Sequence, residues 1–148
     1  MFHGLTNEFL YAAYRLTCEF EHANKHRIAL CGTGFFVKNT DGQLCLITNR
    51  HMIEPNYKRS DAEYAGYSFR RMEVTGKKRD PASDLPVADQ QFEFVGFRTW
   101  LSDTYENDVV CLNDFLVAEK RGSTSSAIDY HIPYDLLATD KQYSQKLP

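Results

Sequence analysis

Between Tyr14 and Glu21 the chain alternates without a break, with Tyr14, Leu16, Cys18 and Phe20 apolar and Arg15, Thr17, Glu19 and Glu21 polar. A period of two puts the apolar set on one face of a pleated strand and the polar set on the other, which no helix can do. A strand with one apolar face must cover that face with more sheet or with helices. This segment therefore commits the chain to a layered or closed sheet.

The rest of the chain supplies the other strands. The polar run from His22 to Arg27 reads as a hairpin loop, and Ile28 to Val37 as a long, mostly apolar strand. Gly32 and Gly34 mark points where that strand can bend or admit close backbone. Asn39-Thr40-Asp41-Gly42 is a strong turn signal, and Leu44 to Thr48 is a short continuous apolar strand. If Lys38 pairs with Gln43, Phe36 faces Cys45, so Cys31 and Cys45 are not opposite each other. Three further strands are predicted at Phe69 to Val74, Phe92 to Phe97 and Val109 to Leu112. Between the first two, Gly76 to Asp89 contains Asp80-Pro81 and Leu85-Pro86 and reads as a long surface loop.

At the start of the chain, Thr6 or Asn7 can cap a short helix through Phe9, Leu10 and Ala13, since either side chain can accept an amide hydrogen bond. Ten Phe and nine Tyr add to the β bias. The predicted fold is all-β: a six-stranded antiparallel β-barrel over residues 14–118, with a small β-sandwich as the rival architecture. A helical segment (1–13) precedes it. A C-terminal connector (119–148) follows, polar apart from Ile132, Leu136 and Leu137.

Charge and length narrow the function. At 148 residues and a net charge of −3 there is one domain and no basic face for nucleic acid. Lys77-Lys78-Arg79 sits beside Asp80 and Asp84 and reads as a solvated loop. No apolar stretch reaches the length of a membrane span, and Met1 to Leu5 lack the basic start and apolar centre of a secretion signal. Cys18, Cys31, Cys45 and Cys111 lie inside apolar segments without paired-motif spacing. They are expected to be small buried hydrophobes kept reduced, which places the chain in the cytoplasm. His22 and His26, near Cys18, have the i, i+4 spacing of metal ligands, but on a strand and loop that spacing does not bring them to one face, so no metal or other cofactor is expected.

The residues that can carry chemistry lie around a histidine. His51 follows the buried strand Leu44 to Thr48 at the point where the chain leaves the sheet, a rigid place for an imidazole whose ordinary pKa lies near neutrality. Asp108 immediately precedes the apolar run Val109-Val110-Cys111-Leu112; Asp103 and Asp114 do not directly precede that run. In this pattern Gly32-Thr33-Gly34-Phe35, a hairpin and Leu46-Ile47-Thr48-Asn49-Arg50-His51 resemble the bacterial and intracellular branch of the trypsin-like, chymotrypsin-fold serine proteases. The likeness runs from about residue 14 to 114.

The resemblance implies that the barrel is the first of two. It makes His51 the catalytic base and Asp108 the carboxylate that orients it. The third member is missing. The family's serine sits in a Gly-x-Ser-Gly-Gly turn, whereas Gly122-Ser123-Thr124-Ser125-Ser126 does not reproduce that motif and falls in the connector. The nucleophile, serine or cysteine, and the oxyanion hole are therefore expected in a C-terminal barrel beyond residue 148. Peptide or protein substrate would bind between the two barrels. Alone, the chain is expected to be inactive and to self-associate through an apolar cleft face. The alternative is a non-catalytic β-barrel that binds a protein partner and merely keeps the His/Asp pair.

Overall fold

The computed structural model describes residues 6–121 and 128–136. Helix α1 (Asn7–Tyr11) leads into β1 (Ala13–His22), β2 (Arg27–Lys38) and β3 (Leu44–Thr48). A single 3-10 turn (Arg50–Met52) follows, then β4 (Tyr67–Arg79), β5 (Pro86–Leu101) and β6 (Val110–Arg121). The short strand β7 (Ile132–Pro133) and a last 3-10 turn (Tyr134–Leu136) end the described chain. No helix among the described residues is long and apolar enough to cross a membrane.

The six long strands close into an antiparallel barrel in the order β1-β4-β5-β6-β3-β2, with β2 returning to pair with β1. Closure gives every one of these strands two neighbours and leaves no edge to template association. β7 lies outside the ring, parallel to the end of β2. Register shifts between Glu19 and Phe20 in β1, and between Glu93 and Arg98 in β5, bend the long strands around the closure.

The alternating residues of β1 are the inner wall: Tyr14, Leu16, Cys18 and Phe20 are all buried. They pack with Phe36, Leu46, Met72, Val74, Phe92, Phe94, Val110 and Leu112 into one cluster. Burial pushes the Cys18 thiol up to about 12, with a further push from Cys31, so it stays protonated and behaves as an apolar side chain. On the outer face Glu19 accepts from Arg71 at 3.1 Å, and Arg71 also donates to Glu93 at 3.0 Å, tying β1, β4 and β5 across the solvent side.

The register places the loops at two opposite ends of the barrel. One end carries the β1–β2 loop, the 3-10 turn after β3 and the loop 102–109. The other carries the β2–β3 turn, the β4–β5 turn and the segment 128–136. That second end is sealed by Tyr130, which is fully buried. Tyr14 Oη donates to the Tyr130 carbonyl at 2.7 Å, and the Tyr130 N–H donates back to Tyr14 Oη at 3.2 Å. Tyr130 Oη donates to the Asp84 carbonyl at 3.1 Å, and the Arg79 guanidinium lies 4.6 Å from the centre of its ring. The backbone N–H of Arg79 donates to Asp129 Oδ2 at 2.9 Å. Gly76 makes room for this seal: a Cβ there would stand 2.1 Å from the Tyr14 ring.

Several sequence-based expectations are corrected. Gly76 to Asp89 is not a long loop, because β4 runs to Arg79, β5 begins at Pro86, and the turn between them is only 80–85. Lys77 faces outward and pairs across the hairpin with Asp89 at 2.6 Å, whereas Arg79 turns onto the buried Tyr130 ring. The β2–β3 register also differs, with Phe36 opposite Leu46 and Val37 opposite Cys45. Asn39 and Gln43 bracket the turn, and Asn39 Oδ1 accepts from the N–H groups of Asp41 and Gln43, so the loop is tighter than the turn signal implied.

Helix α1 stops at Tyr11, with Ala13 already in β1 and no side-chain cap bond from Thr6. Asn7 instead donates to the Asp84 carbonyl at 2.9 Å. Of the four cysteines, all free, only Cys18 is buried; Cys31 is exposed, and Cys45 and Cys111 are half-buried. They sit on outward positions of their strands. In the connector, Ile132 is half-buried, Leu136 is exposed and Leu137 lies outside the described residues; Tyr130 is the buried anchor.

Candidate functional site

The site is assembled by the pairing of β3 with β6. Leu46, Ile47 and Thr48 face Leu112, Cys111 and Val110, so the end of β3 and the start of β6 lie side by side. His51 follows the first and Asp108 precedes the second, and the two meet although 57 residues separate them. Thr48 is buried and its Oγ1 donates to the Thr33 carbonyl at 2.9 Å, fixing the exit of β3 to β2. Asn49 Nδ2 then donates to the Asp108 carbonyl at 3.0 Å.

Met52, next to the histidine, anchors the 3-10 turn from inside the barrel. Its side chain is buried against Gly32, where a Cβ would stand 2.6 Å from Sδ. Gly32 thus has a definite role: without side-chain bulk, β2 lets the methionine under His51 enter the core.

Both oxygens of Asp108 are used. Oδ1 accepts the His51 backbone N–H at 3.0 Å, and Oδ2 lies 2.6 Å from His51 Nδ1. Partial burial pushes the Asp108 carboxyl up, but hydrogen bonds from the His51 backbone and ring, and from the Arg50 backbone, outweigh it and bring the pKa below the ordinary carboxylate value. At neutral pH Asp108 is therefore ionised and can only accept, so Nδ1 carries the proton in this contact. The Nδ1–H tautomer leaves the Nε2 lone pair available. His51 makes no hydrogen bond with a hydroxyl or thiol of the described residues.

The imidazole is 51% exposed and the Asp108 side chain 33%. They lie in a cleft of about 480 Å3, lined also by Leu30, Pro55, Tyr57, Lys58 and Tyr64. A second, more apolar hollow of about 370 Å3 adjoins the same rim, lined by Phe9, Ala13, Phe35, Ile47, Asn49 and Val109. The chemistry available is that of an imidazole held by a carboxylate: proton acceptance at Nε2, with the resulting positive charge stabilised through Nδ1–H.

The other sequence candidates lie elsewhere or form different contacts. His26 Nδ1 contacts Tyr67 Oη at 2.5 Å, and His22 Nδ1 accepts the Asn24 N–H at 3.3 Å, both at the β1–β2 hairpin. Among the described residues no three His, Cys, Asp or Glu side chains are grouped to hold a metal ion. Asp103 lies in the loop 102–109, and Asp114 takes a positive φ of 51° within β6; neither contacts His51. Ser123, Ser125 and Ser126 lie outside the described residues. Three contributions were not visible in the sequence: the bond from Asn49 to the Asp108 carbonyl, and the cleft-lining Tyr57 and Tyr64. Asn49 directly follows β3, where a polar side chain can reach a neighbouring strand; the tyrosines carry no periodic signal.

No protein-family model, no curated protein and no solved structure matches this chain.

Proposed function

We propose that this chain is the base-supplying half of a trypsin-like serine endopeptidase, whose nucleophile and oxyanion donors come from a second barrel beyond residue 148. The reading rests above all on one observation: Asp108 holds His51 through both carboxylate oxygens, one on the backbone N–H and one on Nδ1. A carboxylate bound only to the ring can swing; one also bound to the histidine's own backbone fixes both the position and the tautomer of the base. The sequence resemblance around Thr48-Asn49-Arg50-His51 and Asn107-Asp108-Val109 supplies the family.

In this mechanism a serine from the second barrel attacks the scissile carbonyl as its proton passes to His51 Nε2. The imidazolium then gives that proton to the leaving amine, and Asp108 remains ionised throughout. A water repeats the cycle to free the acyl group. The apolar hollow beside Asn49 and Val109 is where the second barrel packs, and the cleft beside His51 receives substrate. No metal or organic cofactor enters the scheme.

The test is to express the full-length reading frame and to treat its product with a fluorophosphonate probe and a quenched peptide library. Labelling and hydrolysis are expected in that product, and His51→Ala should lower turnover by on the order of 10⁶-fold. Residues 1–148 alone should do neither. A longer product that is folded, unlabelled and inactive would instead make the chain a protein-binding barrel that retains the pair. Inhibitor-sensitive turnover by residues 1–148 alone would sink the half-site scheme.

A further inference from the structure

The loop that follows His51 and the loop that precedes Asp108 have no strand pairing of their own. The β3–β6 ladder has three residue pairs and ends at Thr48 and Val110, short of both functional side chains. Beyond the Asn49 and His51 bonds to Asp108, a compact aromatic group lies between the two loops.

Arg50 is central. Its side chain is only 15% exposed and its Nε donates to Glu54 Oε2 at 2.8 Å. Its guanidinium carbon stands 4.9 Å from the centre of the Tyr57 ring and 5.3 Å from that of Tyr105. The two rings contact each other with centroids 5.1 Å apart. Tyr57 Oη donates to the Tyr105 carbonyl, and the Lys58 N–H donates to Tyr105 Oη at 3.2 Å. Arg50 and Tyr57 belong to the His51 side; Tyr105 belongs to the Asp108 side.

We infer that Arg50, Tyr57 and Tyr105 form a clamp that positions the His51–Asp108 pair, with Arg50 and Tyr105 as positioning residues acting through the two loops. Guanidinium stacking suits this task because a planar cation can contact aromatic faces while its edge still hydrogen-bonds. Arg50 is adjacent to His51 in sequence, and Tyr105 precedes Asp108 by three residues, so movement at either ring is passed directly to the pair. A displacement of about 1 Å at such a pair is enough to cost on the order of 100-fold in rate. The geometric claim stands on its own; its consequence for catalysis rests on the protease reading.

The test uses the chain itself, with 15N-labelled histidine. The two imidazole nitrogen shifts of neutral His51 report the tautomer, and exchange of the His51 amide reports its bond to Asp108 Oδ1. Wild type should show the Nδ1–H tautomer. Arg50→Gln and Tyr105→Ala should move it toward the mixture of a free imidazole and speed His51 amide exchange by on the order of tenfold. Tyr105→Phe, which keeps the ring, should retain the wild-type tautomer. Lys77→Ala, which removes a distant surface ion pair, should do the same. A wild-type tautomer and amide rate in both folded Arg50→Gln and folded Tyr105→Ala would overturn the clamp. The two proposals fail separately: an intact tautomer effect with an inactive longer product removes only the protease, and an active longer product with no tautomer effect removes only the clamp.

Discussion

At one end of the barrel Tyr130 is fully buried, its backbone and hydroxyl bonded to Tyr14 and the Asp84 carbonyl. At the other, His51 and Asp108 are half-open to solvent and held from the side by loops. The sealed end spends its polar groups on one another and removes a large ring from water, so its interactions contribute to stability. The open end leaves Nε2 of an oriented imidazole without a partner among the described residues, which contributes little to stability and keeps its lone pair open to a proton. Within one small barrel, the buried polar seal and the exposed, oriented His51–Asp108 pair lie at opposite rims.

Three substitutions break or sharpen that contrast. The largest effect belongs to the sealed end. Tyr130→Ala empties a buried ring site and should cost about 3–5 kcal/mol in urea unfolding, while the His51 nitrogen shifts of the folded fraction stay as in wild type. A matching change at His51 would show that the ends are coupled.

Gly32→Ala comes next, because it sits where core and site touch. The new methyl meets Met52 Sδ in a buried setting. Overpacking should cost about 1–3 kcal/mol and, unlike Tyr130→Ala, should move the His51 resonances as the 3-10 turn shifts. Unfolding that matches wild type, with unmoved His51 signals, would break the link drawn between Met52 and the site.

The smallest effect is at the site itself. The depressed Asp108 carboxyl contributes stability that is fully present above the unfolded value of about 3.9 and is lost as pH falls through its lower native value. Because the pair is so exposed, Asp108→Asn should cost less than about 1 kcal/mol at pH 7, and the gap to wild type should close as the solution is acidified below pH 4. Urea melts at several pH values measure this directly. A loss as large as that of Tyr130→Ala would contradict the division of labour.

Much of this was legible in the sequence wherever burial dictates residue type. β1 is written in strict alternation because its inner face is core, and the strands around Leu46, Phe92 and Val110 carry enough apolar side chains to show themselves. His51 and Asp108 were legible for a related reason: each adjoins an apolar strand, and the strand ends place them. The second half of β4 and the start of β5 were not, since Lys77 and Asp89 lie where outward charge is tolerated and the nearby prolines mimic a loop. The β2–β3 register depends on the Asn39 side chain closing the turn, which composition alone does not specify. Arg50, Tyr57 and Tyr105 were invisible as a group because stacking between loops 48 residues apart leaves no repeat to detect.

The bond between Tyr14 and Tyr130 spans 116 positions of the chain. During synthesis, β1 is made first but cannot be capped until nearly the whole barrel has left the ribosome. Until then the Tyr14 hydroxyl must be satisfied by water at an unfinished rim, which makes the closing of that rim a late, long-range event in folding.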